Sequence, residues 1–163
     1  MSSDPIPQSG GPITANVLNM AFRGMMDRYG DVDSVDLDES TTSVWNAGGY
    51  VDLATRGPEV SVSSRGLRAL VFLSCREWNT AGAANIGAMG VQVTNSEGTV
   101  THVAANSAAL LQQGTTLRID AKRTWIMIPI NLVEDGPHTF TAKYAVGAGT
   151  GFFGNRTMAV FAP

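Results

Sequence analysis

His138-Thr-Phe-Thr-Ala-Lys-Tyr-Ala-Val146 decides how the rest of this chain is read. Phe140, Ala142 and Tyr144 fall on one side of an extended chain, and Thr139, Thr141 and Lys143 on the other. Period-two alternation marks a β-strand with one dry and one wet face. Working outward, similar short runs recur at Thr42–Trp45, Gly49–Leu53, Glu59–Ser63, Leu67–Cys75, Met89–Thr94, Val100–Ala104, Thr116–Asp120, Thr124–Ile130 and Arg156–Phe161. Asn95–Gly98 is a tight turn that makes residues 89–104 a hairpin, and Asp135-Gly136-Pro137 is a second turn. Ala105–Gln113 has the composition of a short helix, and Gly147–Asn155 reads as a glycine-rich connection. No long helices alternate with these strands, so parallel βαβ units are excluded. The expected fold is mainly β: an antiparallel β-sandwich, jelly-roll-like.

Two runs break the alternation. Trp125-Ile-Met-Ile-Pro-Ile130 and Ala69-Leu-Val-Phe-Leu73 are apolar at both parities. A strand in a two-layer sandwich has one inward face, so the second apolar face needs cover from the N-terminal helix or from another subunit. Like subunits closed around a threefold axis would hide it without forming filaments. Leu70, Phe72, Trp125 and Met127 are therefore expected at an oligomer interface, with a homotrimer as the expected state.

Residues 1–40 read differently from residues 41–163. Pro5, Pro7, Gly10, Gly11 and Pro12 make an extended arm. Thr14 can cap a helix that Gly30 stops, and Leu18, Phe22, Met25 and Tyr29 share one face of it. That stripe either lies on the chain's own sandwich or docks on a partner. Asp31-Val-Asp-Ser-Val-Asp-Leu-Asp-Glu39 reads as a solvated acidic linker. It fails as an EF-hand, because Asp36 stands where glycine is needed and Thr42 where glutamate is needed. The expected organisation is an arm with a docking helix and acidic linker over residues 1–40, then a β-sandwich over 41–163.

Composition narrows function mostly by exclusion. Charged residues make up 15% of the chain, low against the roughly 25% usual for soluble proteins. Residues 1–40 carry a balance of −5 and residues 41–163 of +2, so neither half has the basic face of a nucleic-acid binder. No run of apolar residues is long enough to span a membrane, and no leader pattern opens the chain. Cys75 is the one cysteine and lies in an apolar run, which makes it a buried small residue. His102 and His138 lack carboxylate or thiol partners at ligand spacing, and no Gly-x-Ser-x-Gly elbow is present. No catalytic, metal or cofactor residues are assigned, and the expectation is a non-enzyme. Trp78, Phe152 and Phe153 are the aromatic candidates for glycan contact, the alternative being hydrophobic anchors of a loop.

The last thirty residues add a resemblance. Asp135-Gly-Pro-His-Thr-Phe-Thr-Ala-Lys-Tyr144 and Gly149-Thr-Gly-Phe-Phe-Gly-Asn-Arg-Thr-Met-Ala-Val160 resemble the terminal hairpin of small β-sandwich virion proteins of tailed bacteriophages. Ile13-Thr-Ala-Asn-Val-Leu-Asn19 is similar to the attachment helix that opens many phage tail-fibre and minor tail proteins. The resemblance implies a non-enzymatic structural component of a virion, made in a host cytoplasm. A minor tail protein anchored by its N-terminal arm is the first expectation. A capsid decoration protein, or a module binding a host-envelope carbohydrate, is the alternative.

Overall fold

The computed structural model describes residues 30–47, 49–81, 85–105, 109–113, 121 and 123–163. Over these the chain forms strands β1 Gly30–Val35, β2 Glu39–Thr41, β3 Glu59–Ser64, β4 Arg68–Asn79, β5 Ile86–Asn95, β6 Val100–His102, β7 Ala109–Gln113, β8 Arg123–Asn131, β9 Gly136–Val146 and β10 Gly151–Phe161. Two five-stranded antiparallel sheets result. Sheet A runs β1-β10-β4-β8, with β2 also on β10; sheet B runs β3-β9-β5-β6, with β7 also on β5. The pairing is nested: β1 with β10, β3 with β9, β4 with β8, and β5 with β6 and β7. The chain is in effect one long hairpin rolled into two layers.

The dry side of the alternating run at 138–146 is buried as its pattern requires, but the other side is not uniformly wet, since Thr141 is fully buried. Phe140, Ala142 and Tyr144 are fully buried and meet Val71, Leu73, Met89, Val91, Phe153 and Met158 between the sheets. Tyr144 keeps its hydroxyl satisfied by donating to the Gly57 carbonyl at 2.9 Å. Cys75 is buried in the same layer, as expected.

Several expectations need correction. The acidic run 31–39 is not a solvated linker, because β1 and β2 both pair with the outer edge of β10. Its acids are used: Asp33 accepts the Glu59 N–H at 2.8 Å, Asp38 faces Arg76 at 3.4 Å, and Glu39 pairs with Arg156 at 2.7 Å. The described sandwich thus begins at Gly30 rather than at residue 41. Among the described residues of Ala105–Gln113, the segment 109–113 is strand β7, held against Ile86–Gly90 of β5. Thr42–Trp45 and Gly49–Leu53 contribute only isolated bridges, Val44 to Val146 and Val51 to Tyr144. The final two strands are not a hairpin. β9 lies in sheet B and β10 in sheet A, so residues 147–150 form an arch between layers. The second part of the expected glycine-rich connection, residues 151–155, is the start of β10. Thr116–Asp120 and the helical stripe Leu18, Phe22, Met25 and Tyr29 lie outside the described residues.

Candidate assembly surface

The outer face of sheet A is where the doubly apolar strands lead. In β4 the odd-numbered residues Ala69, Val71 and Leu73 point inward and are buried, which turns Leu70 and Phe72 outward. In β8 the buried Ile128 and Ile130 leave Trp125, Met127 and Pro129 outside. The registers set these residues side by side: Leu70 faces Pro129, Phe72 faces Met127, and Ser74 faces Trp125. Phe72 and Trp125 stack with ring centroids 5.6 Å apart and planes 20° apart. The four residues expected at an oligomer interface thus share one surface. Trp125 is 66% exposed, Met127 55% and Leu70 37%, while Phe72 is half-buried.

The patch is wider than the sequence suggested. Across the other edge of β4, Phe161 sits beside Leu70 and Ala159 beside Phe72. Beyond them Gly30 faces Phe161 and Val32, 57% exposed, faces Ala159. Two rungs therefore run across all four strands without a polar side chain: Gly30, Phe161, Leu70, Pro129, and then Val32, Ala159, Phe72, Met127. Met158-Ala-Val-Phe161 is itself apolar at both parities, a signal present in the sequence. Val32 carried no such signal, since it sits among aspartates.

A polar belt closes one end. Arg123 donates from Nε to Ser74 Oγ at 2.8 Å and from Nη2 to Thr157 Oγ1 at 2.6 Å. Next to it Arg76 reaches Asp38 and lies over the Trp78 ring at 5.8 Å. This ion pair and the Arg123 fork hold the outer surface at that end and bound the apolar rungs there. A contiguous apolar surface with a polar rim is the usual chemistry of a protein interface.

The residues expected to contact glycan, Trp78, Phe152 and Phe153, lie in strands β4 and β10. Phe153 is fully buried against Tyr144, with centroids 5.0 Å apart. Trp78 retains 9% of its surface and stacks on Phe152 at 5.1 Å, with planes 5° apart. The register sets Phe152 beside Trp78, so the two rings pack on each other across β10 and β4 rather than in a loop. The two histidines lie on strands flanking opposite edges of β5. His138 Nδ1 is 2.9 Å from the Gly136 carbonyl, and burial lowers the pKa of half-buried His102 below 6.5. Among the described residues no cluster of His, Cys, Asp or Glu is arranged to hold a metal ion. No described helix is long and apolar enough to cross a membrane.

No protein-family model matches the chain, and no curated protein matches it in sequence. Solved structures with a similar β-sandwich include the VP2 subviral particle of infectious bursal disease virus, at 11% identity and TM-score 0.49, over 83% of this chain and 33% of that one. A family 35 carbohydrate binding module from Clostridium thermocellum aligns at 16% identity and TM-score 0.39, over 82% of this chain and 99% of the module. The enzymatically active domain of tailspike protein 4 from bacteriophage CBA120 aligns at 8% identity and TM-score 0.38, over 80% of this chain and 19% of that one. The chain thus spans about a third of the VP2 chain it matches.

Proposed function

We propose that this protein is a non-enzymatic structural subunit of a virion that assembles with copies of itself through the outer face of sheet A. The observation that carries the reading is the pair of apolar rungs running uninterrupted across four strands. Water at such a face is costly, at roughly 25 cal/mol per Å² of apolar surface. The nested strand order is that of a jelly roll, a winding used by viral capsid and lectin domains, which supports the reading at the level of fold. The resemblance of residues 135–160 and 13–19 to tailed-phage virion proteins makes a minor tail protein the more specific form, with a head decoration protein as the alternative. A homotrimer with Trp125 and Met127 near the threefold axis hides the patch in a closed assembly. Leu18, Phe22, Met25 and Tyr29 then serve as the arm's contact with a neighbouring subunit or another virion protein.

Sedimentation velocity over a range of concentrations tests the assembly. The wild type should self-associate, and Trp125→Asp with Met127→Asp should yield a folded monomer. A wild type that stays monomeric at every concentration overturns the proposal. Co-sedimentation with particles then tests the virion half of the reading.

A further inference from the structure

We infer that a cleft on the outer face of sheet B, opposite the assembly surface, binds a neutral oligosaccharide. The cleft holds about 530 Å³, within the range of small-ligand sites. Trp45, Tyr50, Asn46, Gln92 and Lys143 line it. Each contributes a different part of sugar recognition. Trp45 and Tyr50 offer ring surface of the kind that packs against the C–H face of a pyranose. Asn46 and Gln92 carry both a donor and an acceptor, matching hydroxyl groups that are also both. Lys143 is the one charged side chain in the lining, and Asp52 neutralises it at 2.7 Å. A site with its charge already paired favours an uncharged ligand over a phosphate or a carboxylate.

The cleft is built rather than incidental. Its wall is residues 43–47 and 49–51, which are sewn to the edge of β9. Trp45 N donates to the Val146 carbonyl at 3.2 Å, and Val146 N donates to the Ser43 carbonyl at 2.9 Å. Val51 and Tyr144 exchange two further bonds at 2.9 and 2.8 Å, and Ser43 Oγ donates to the Gly49 carbonyl at 2.8 Å. Two glycines make room for the rings. A Cβ on Gly90 would come within 2.9 Å of the Tyr50 ring, and one on Gly147 within 3.2 Å of the Trp45 ring. Aromatics held in place before binding lose little entropy when a ligand arrives. None of these residues belongs to the rungs of sheet A, so the inference stands apart from self-assembly.

The test is chemical-shift mapping and tryptophan fluorescence of the full chain. The probes are oligomers of glucose, mannose, galactose and N-acetylglucosamine, with a sialylated oligosaccharide as charge control. At least one neutral oligomer should bind in the millimolar range or tighter, shifting the Trp45 indole and the Gln92 amide. Trp45→Ala and Gln92→Ala should each weaken binding by about tenfold or more. Met127→Asp should leave it unchanged. Gln92→Ala guards against the case in which loss of the Trp45 ring collapses the loop. The inference is overturned if no neutral oligomer binds, if the sialylated probe is preferred, or if binding survives Gln92→Ala in a folded protein. A synthetic peptide of residues 1–12 that shifts the same signals while no sugar does would reassign the cleft to the chain's own proline-rich segment, and so overturn it too.

Discussion

Glu77 is a carboxylic acid placed where a carboxylate has no solvation. It points inward from β4, is fully buried, and neither oxygen has a hydrogen-bond partner among the described residues. Gly87 on β5 is what admits it, since a Cβ there would run into the Glu77 carboxyl. Burial pushes its pKa from 4.5 up to about 8. The folded state therefore holds a proton that the unfolded chain releases. Stability from this group is present below about 4.5, falls as pH rises toward about 8, and is flat above. The slope should approach ~1.4 kcal/mol per pH unit, and Glu77→Gln should remove it. Denaturant unfolding across pH checks this, and a flat wild-type curve through that window would mean the carboxyl is solvated in the fold. Glu39 shows the opposite case. Burial alone would raise its pKa, but hydrogen bonds from Thr55 and the charge of Arg156 outweigh that and hold it below 4.5. Its contribution is present above the unfolded pKa and is lost as acid protonates it.

At the scale of elements, β10 carries the most structural consequence. Its register against β4 slips between Gly154 and Thr157, so that Asn155 and Arg156 together oppose Cys75. This bulge lets Arg156 turn inward, fully buried, to reach Glu39 while Thr157 returns to the outer face. Asn155 makes the bend at φ 48°, a conformation that Asn and Gly accept and branched residues resist. Asn155→Gly should be near neutral, and Asn155→Val should cost about 1–2 kcal/mol in thermal or chemical unfolding. Equal costs for both would show that the side chain, not the backbone, matters there. Such local chemistry explains what could be read from sequence and what could not. β9 was legible because burial writes a period of two into its residues, and β4 and β8 because continuous apolar runs mark them as strands. β1 and β2 were not, because their aspartates and glutamate look solvated until Glu59, Arg76 and Arg156 arrive from distant positions. Ala109-Leu-Leu-Gln-Gln113 favours a helix locally, and the open edge of β5 overrides that preference. The assembly face was legible on β4, β8 and the end of β10; its extension to Gly30 and Val32 on β1 depends on register. The cleft was not legible, since its lining comes from a loop, two strands and the segment after β6.

On the scale of the whole molecule, the rolled hairpin gives its two ends unequal jobs. The turn end is local, while β1 and β10, nearly the full chain apart, close the structure by pairing with each other. Residues 30–41 therefore cannot be removed with the segment before them, even though acidity groups them with it. Losing them would strip one edge of β10 and leave Arg156 buried without Glu39. Breaking a buried ion pair by deleting one partner costs roughly 3–5 kcal/mol, a large share of the 5–15 kcal/mol that holds a domain together. A chain lacking residues 1–40 should accordingly melt far lower or fail to fold. A chain lacking residues 1–29 retains every described strand and should melt close to the intact protein. Paired thermal unfolding of the two truncations checks this. If removing residues 1–29 lowers the melting temperature as much as removing residues 1–40, the stripe of Leu18, Phe22, Met25 and Tyr29 belongs to the chain's own fold and its proposed contact with a neighbour fails. If only the longer deletion is damaging, the arm is free to be spent on assembly, and the shorter truncation should then be a stable sandwich that enters particles poorly.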